Sequence, residues 1–243
     1  MIIIKYFLLG LFTALLFPPF FVLPLGFVIF PYFYNQILKL KLYNSIILFF
    51  FSGFLYALAF FSIFLIWVQN PFYVFEETKN YSFLSFLLII LISFIFGLFF
   101  ILFKYINNSK YLYFFIPLIF VTFEIFISNF LYGFPWFSLA LIISSNKIGS
   151  ILLYLFGSHV TGLLLIIIFL IPQIIRDKNT LFKFNKKIAL IFMIVCIILI
   201  YLNFREDSTQ IKNINIDLVQ TNHSYLKNNY ISNEEKYNEI LSI

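Results

Sequence analysis

Residues 124–136 read Glu124-Ile125-Phe126-Ile127-Ser128-Asn129-Phe130-Leu131-Tyr132-Gly133-Phe134-Pro135-Trp136. The stretch begins with a lone carboxylic acid inside an apolar run. It ends in Gly133, Phe134, Pro135 and Trp136, a sequence unsuited to the middle of a membrane helix. Gly and Pro release the backbone from helical geometry. Trp beside such a break suits the membrane–water interface.

The surroundings set the class. The chain has 243 residues, 63% of them hydrophobic and 11% charged. Soluble domains run nearer half apolar and a quarter charged. With a mean hydropathy of +1.01, a polytopic membrane protein is expected. The 38 Phe and 16 Tyr, beside abundant Ile, Lys and Asn, indicate an AT-rich coding bias. Aromatic content alone therefore carries little weight. The net charge of +6 is scattered between apolar runs, which reads as a topology signal and not as a nucleic-acid surface.

Seven spans are expected, at about 2–17, 20–38, 45–68, 83–103, 111–130, 148–175 and 187–204, each near the length that crosses about 30 Å. Pro18-Pro19 should end the first, in place of a signal-peptide cleavage site. Pro24 and Pro31 should bend the second. With Lys5 in the cytoplasm, alternate loops hold Lys39 and Lys41, then Lys104 and Lys110, then Arg176, Lys178, Lys183, Lys186 and Lys187. The opposite loops hold Glu76, Glu77 and Lys79, then Lys147. This is the positive-inside pattern, and it places the C-terminal tail outside.

Two domains follow from composition: 1–204, helical and transmembrane, and 205–243, polar. In the second, Ile214, Ile216 and Leu218 alternate with Asn215 and Asp217, as in a half-buried strand. Ser232 and Glu235 have capping-box spacing before Tyr237, Ile240 and Leu241. Strand, loop and helix are too little to bury a core. The tail either docks on something or opens a larger α/β domain.

Few residues offer chemistry. Glu124 is the one acid within a predicted span, and such a group is costly there unless it faces a cavity or a partner. It is either the polar wall of a substrate cavity, an anchor for the broken segment, or a packing acid. His159, in Gly157-Ser158-His159-Val160-Thr161-Gly162, favours interhelical packing and hydrogen bonding. A Glu124–His159 contact is conceivable, but nothing in the sequence establishes it. A single His is a poor metal site, and no metal or cofactor is expected. Cys196 lies among Ile and Val, where a thiol is inert. An intramembrane acid and Pro-interrupted spans also fit a transporter or permease subunit. No internal repeat supports that reading. A non-catalytic membrane anchor, docking a partner through residues 205–243, is the third.

The order of features resembles the apolipoprotein N-acyltransferase family of the bacterial inner membrane. Phe17-Pro18-Pro19-Phe20 with Pro24-Leu25 is similar to its first hairpin. Gly53-Phe54-Leu55 through Trp67-Val68 is similar to its third span. Glu124 followed by Gly133-Phe134-Pro135-Trp136 resembles its most specific membrane motif, and Phe156-Gly157 fits the segment after it. Val219-Gln220-Thr221-Asn222, with Lys227, resembles the opening strand of its nitrilase-like αββα domain. Ile127 stands where members often carry an Arg, and His159-Val160 where they often carry Tyr-Gly. Both departures fall on polar contacts of the membrane cavity.

The resemblance implies an acyltransferase of lipoprotein maturation, multi-pass in the inner membrane, with a cytoplasmic N-terminus and a periplasmic tail. A Cys thiolate takes an acyl chain from a phospholipid and passes it to the α-amine of an apolipoprotein's diacylglyceryl-cysteine. Glu124, Gly133, Phe134, Pro135 and Trp136 then line a substrate cavity or lipid entrance. The family's Glu, Lys and Cys match no position before Ile243. The expectation is therefore an N-terminal piece, or a truncated and inactive product, with 205–243 an incomplete start of the nitrilase-like domain.

Overall fold

The computed structural model describes residues 2–106, 111–130 and 136–177. Six α-helices follow in order: α1 (Ile2–Ala14), α2 (Gly26–Lys41), α3 (Ile46–Phe64), α4 (Phe83–Tyr105), α5 (Leu112–Asn129) and α6 (Lys147–Arg176). Short 3-10 helices occupy Leu23–Leu25, Ile66–Tyr73, Lys79–Tyr81 and Leu139–Ile143. No strand occurs among the described residues.

Four helices are long and apolar enough to cross a membrane: α3, α4 with the turn before it, α5 and α6. The first two expected spans are shorter in the structure. At 1.5 Å per residue α1 and α2 reach only about 20 and 24 Å. α1 stops at Ala14, ahead of Pro18-Pro19. Pro24 does not bend α2; it sits in the 3-10 turn before Gly26. There its missing N–H costs nothing, because the first turn of a helix has no acceptor for it. Pro31 does lie inside α2. The expected span at 187–204 and the strand and helix of the tail lie outside the described residues.

Side-chain caps and small residues explain the joins. Ser45 accepts the Leu48 N–H at the start of α3, and Asn146 accepts the Gly149 N–H at the start of α6. Each cap satisfies a donor that the helix leaves free. α3 packs between α1 and α4. At the α3–α4 contact, Gly53 and Gly97 let the backbones close. A Cβ on Gly53 would lie 2.2 Å from the Phe100 Cβ, and one on Gly97 2.9 Å from the Phe50 ring. Small residues at such crossings replace the hydrophobic drive that lipid removes.

Rings fill the interior. Phe33, Tyr56, Phe96, Phe100, Phe120 and Phe123 meet mostly edge to face, with centroids about 5–6 Å apart, the arrangement favoured by the ring quadrupole. The outward face of α4 is equally apolar: Leu87, Ile90, Leu91, Phe94 and Leu98 are exposed. A helix apolar on every side matches lipid, not water.

The bundle has two ends. One carries the close of α5, the start of α6, and Trp67 beside Trp136 with ring centroids 5.0 Å apart. At the other, the Tyr113 hydroxyl donates to the Asp177 Oδ2 (3.2 Å). There Asn35 Nδ2 also donates to Gln173 Oε1 (3.1 Å), and Lys41 donates to the Ile106 carbonyl.

Candidate functional site at the end of α5

On α5, Ile116, Phe120, Phe123, Glu124 and Ile127 form the buried stripe. Their three- and four-residue spacing keeps them on one face, so the carboxylate is carried inward with the rings. Glu124 is 1% exposed. Asn129 ends the helix five residues later, about 8 Å further along.

From Trp136 to Ser138 the chain has no regular secondary structure. Phe137 is buried, and its ring lies within 6.0 Å of Phe17, Phe60, Phe61, Phe64 and Phe123. Ser138 is extended and its Oγ accepts the Ala140 N–H, starting the 3-10 helix Leu139–Ile143. That non-helical entry frees backbone donors, and Glu124 meets one of them. Its Oε2 accepts the Leu139 N–H at 3.0 Å. Its Oε1 accepts the Ser138 hydroxyl at 2.9 Å.

The third partner comes from α6. His159 Nδ1 lies 2.8 Å from Glu124 Oε1, although 35 residues separate the two. α6 is broken just before it. Gly157 has φ 71°, ψ 175°, a conformation that only glycine adopts readily. The Thr161 hydroxyl bridges the break by donating to the Leu152 carbonyl at 3.0 Å. The two glycines flanking His159 therefore act differently. Gly162 permits close packing, since a Cβ there would lie 2.7 Å from the Leu139 Cβ. Gly157 meets no described atom within 4 Å of an added Cβ, so among the described residues it matters for its backbone alone.

Of the residues singled out in the sequence, Glu124 and His159 are joined. Trp136 is exposed beside Trp67, and Gly133, Phe134 and Pro135 lie outside the described residues. Phe137 and Ser138 were not singled out. Ser138 carried a signal, a capping residue directly before Leu139-Ala140-Leu141. Phe137 carried none, being one Phe among 38.

The interior beneath Phe137 holds a cavity of about 20 Å³, lined by Thr13, Tyr56, Phe123 and Leu139 among others. That is room for a water and not for an acyl chain. A wider groove of about 580 Å³ opens between α4 and α5, lined by Phe99, Leu102, Tyr105, Tyr111 and Phe115. It lies toward the Asp177 end. Among the described residues no three His, Cys, Asp or Glu side chains converge to hold a metal.

Against known families, residues 9–172 match the model of the apolipoprotein N-acyltransferase N-terminal domain. The match contains α2 to α5, the Gly133–Trp136 motif, Glu124 and His159. No curated protein matches the chain.

Proposed function

The chain belongs to the apolipoprotein N-acyltransferase family, a family of membrane acyltransferases, and on that premise we propose that it serves the last acylation of lipoprotein maturation. An acyl chain leaves a phospholipid, forms a thioester on a Cys, and passes to the α-amine of S-diacylglyceryl-cysteine on an apolipoprotein. Splitting one transfer into two steps is the usual gain of covalent catalysis. The Glu, Lys and Cys that the resemblance implies for those steps are assigned to no residue of the 243. The part argued for these residues is to present lipid substrates at the height of the reaction.

The observation that carries this reading is the family match spanning the Glu124 knot. The Trp67–Trp136 pair supports a membrane surface at that end, and the loop charges favour it as the periplasmic side of the inner membrane. In this reading residues 187–204 form the seventh span, and 205–243 open the nitrilase-like domain. Glu124 holds the chain that leaves the Gly133-Phe134-Pro135-Trp136 motif. That motif and Trp136 then line the lateral lipid entrance. Irregular backbone is tolerated at membrane depth where it is buried in protein or lines a cavity.

The test grafts residues 1–204 onto the catalytic domain of an active family member, in cells depleted of their own enzyme. N-acylated lipoprotein is expected. Its absence from a chimera that inserts normally refutes the reading. Trp136→Ala in that chimera should slow transfer about tenfold per inserted molecule, as expected for a misplaced substrate. A reporter fused after residue 208 should be exported.

A further inference from the structure

The Glu124–His159 pair has an unused face. A backbone N–H can only donate, so the Leu139 bond fixes Glu124 Oε2 as an acceptor. Ser138 donates to Oε1, and His159 meets the same oxygen through Nδ1. With Glu124 ionised and the imidazole uncharged, this network puts the proton on Nδ1 and leaves the Nε2 lone pair as an acceptor. Nε2 makes no hydrogen bond within the described residues, and the His159 side chain is 45% exposed although Glu124 is 1% exposed.

Charge and position add to this. Among the described residues no Lys or Arg pairs with Glu124; its one titratable partner is His159. A buried carboxylate without a cation nearby is costly. The break at Gly157 also sets the depth of His159. From 158 to 176 the chain runs about 28 Å as regular helix, close to the hydrocarbon thickness. A crossing counted from that break would carry His159 in its first turn, beside a membrane surface. Beside it, the direction a Gly157 side chain would take meets no described residue within 4 Å.

We propose that Glu124 and His159 form a binding site for a primary ammonium group at the membrane surface. Nε2 accepts one ammonium N–H, and the buried carboxylate behind the ring supplies the opposing charge. A trimethylammonium group has no N–H and is excluded. Two amines carry this chemistry in the acyl-transfer reading, on which only the choice of these two rests. One is the aminoethyl headgroup of a phospholipid; the other is the α-amine of diacylglyceryl-cysteine.

The test uses the full chain in phosphatidylcholine nanodiscs. Sequence position 223 holds the other His, so His223→Gln leaves one imidazole for nitrogen-15 NMR. Phosphatidylethanolamine is added in one arm and a diacylglyceryl-cysteine peptide with a free amine in another. The N-acetylated peptide is the control. The Nε2 resonance should move with at least one amine and stay still with the control. A response to the phospholipid alone assigns the site to the acyl donor; a response to the peptide alone assigns it to the acceptor. His159→Asn places an amide nitrogen where Nδ1 was, keeping the Glu124 bond but removing Nε2. Its thermal stability should hold while amine binding weakens at least about tenfold, the scale of one lost charge-assisted hydrogen bond. An unmoved resonance, a ring protonated on both nitrogens, or undiminished binding in His159→Asn overturns the site. The grafted chimera separates the two claims. Active transfer without amine binding counts against this site alone, and amine binding with an inactive chimera counts against the acyl-transfer reading alone.

Discussion

At one end of the α5–α6 pair, a buried carboxylate takes hydrogen bonds from Ser138, Leu139 and His159. At the other, Tyr113 reaches Asp177 and Asn35 reaches Gln173, on part-buried side chains. The second end joins regular helices, whose backbones are already satisfied from within. Its polar contacts are additions at the rim. The first end holds chain that is not α-helical, and away from water each free backbone donor must find a protein partner. The charge lies where the regular structure fails.

Substitutions can break or sharpen that contrast. Glu124→Ala should have the largest effect, about 3 kcal/mol, because it strands the buried Leu139 N–H, the part-buried Ser138 hydroxyl and the imidazole together. Loss of melting temperature in detergent, with faster amide exchange at residues 139–143 than at 170–176, is the expected pattern. Uniform loosening of both ends would show that the knot is not local. Gly157→Ala comes next, at about 1–2 kcal/mol. Its space is free, so the cost is the positive φ; an unchanged melting temperature would show that α6 can straighten. Ser138→Ala should cost about 1 kcal/mol, through the bond to Glu124, whose Oε1 His159 still serves, and the longer cap on the Ala140 N–H (3.4 Å). Tyr113→Phe, at the opposite end, should cost about 0.5 kcal/mol and leave exchange at 139–143 untouched. A Tyr113→Phe effect larger than that of Glu124→Ala would reverse the comparison.

The long helices were legible from hydrophobic runs. The expected 45–68, 83–103 and 111–130 become Ile46–Phe64, Phe83–Tyr105 and Leu112–Asn129. Boundaries were poorer where proline decided them. Pro24 reads as a bend only if a helix is assumed to run through it, and here the helix starts at Gly26 instead. The break at Gly157 was illegible, because a Gly beside small and polar residues in an apolar run reads as close helix packing as readily as a break. The site was legible in its parts. A lone acid and a polar cluster stand out against Ile and Phe, but the bond between them does not.

Composition and period determined by themselves that apolar helices would form and lie against lipid. They also set the end of the fifth apolar run, expected at 130 and found at Asn129. Both outcomes depend on near neighbours and on the solvent, which a linear string encodes directly. Only the tertiary structure decided that Phe137 would be caged by rings from the turn after α1, from α3 and from α5, and that Ser138, Leu139 and His159 would converge on one carboxylate. Those contacts need helices packed in a particular rotation, a choice made by Gly53, Gly97 and Gly162 where backbones approach. Close packing is a property of pairs of surfaces. Neither surface is written in the residues of one segment.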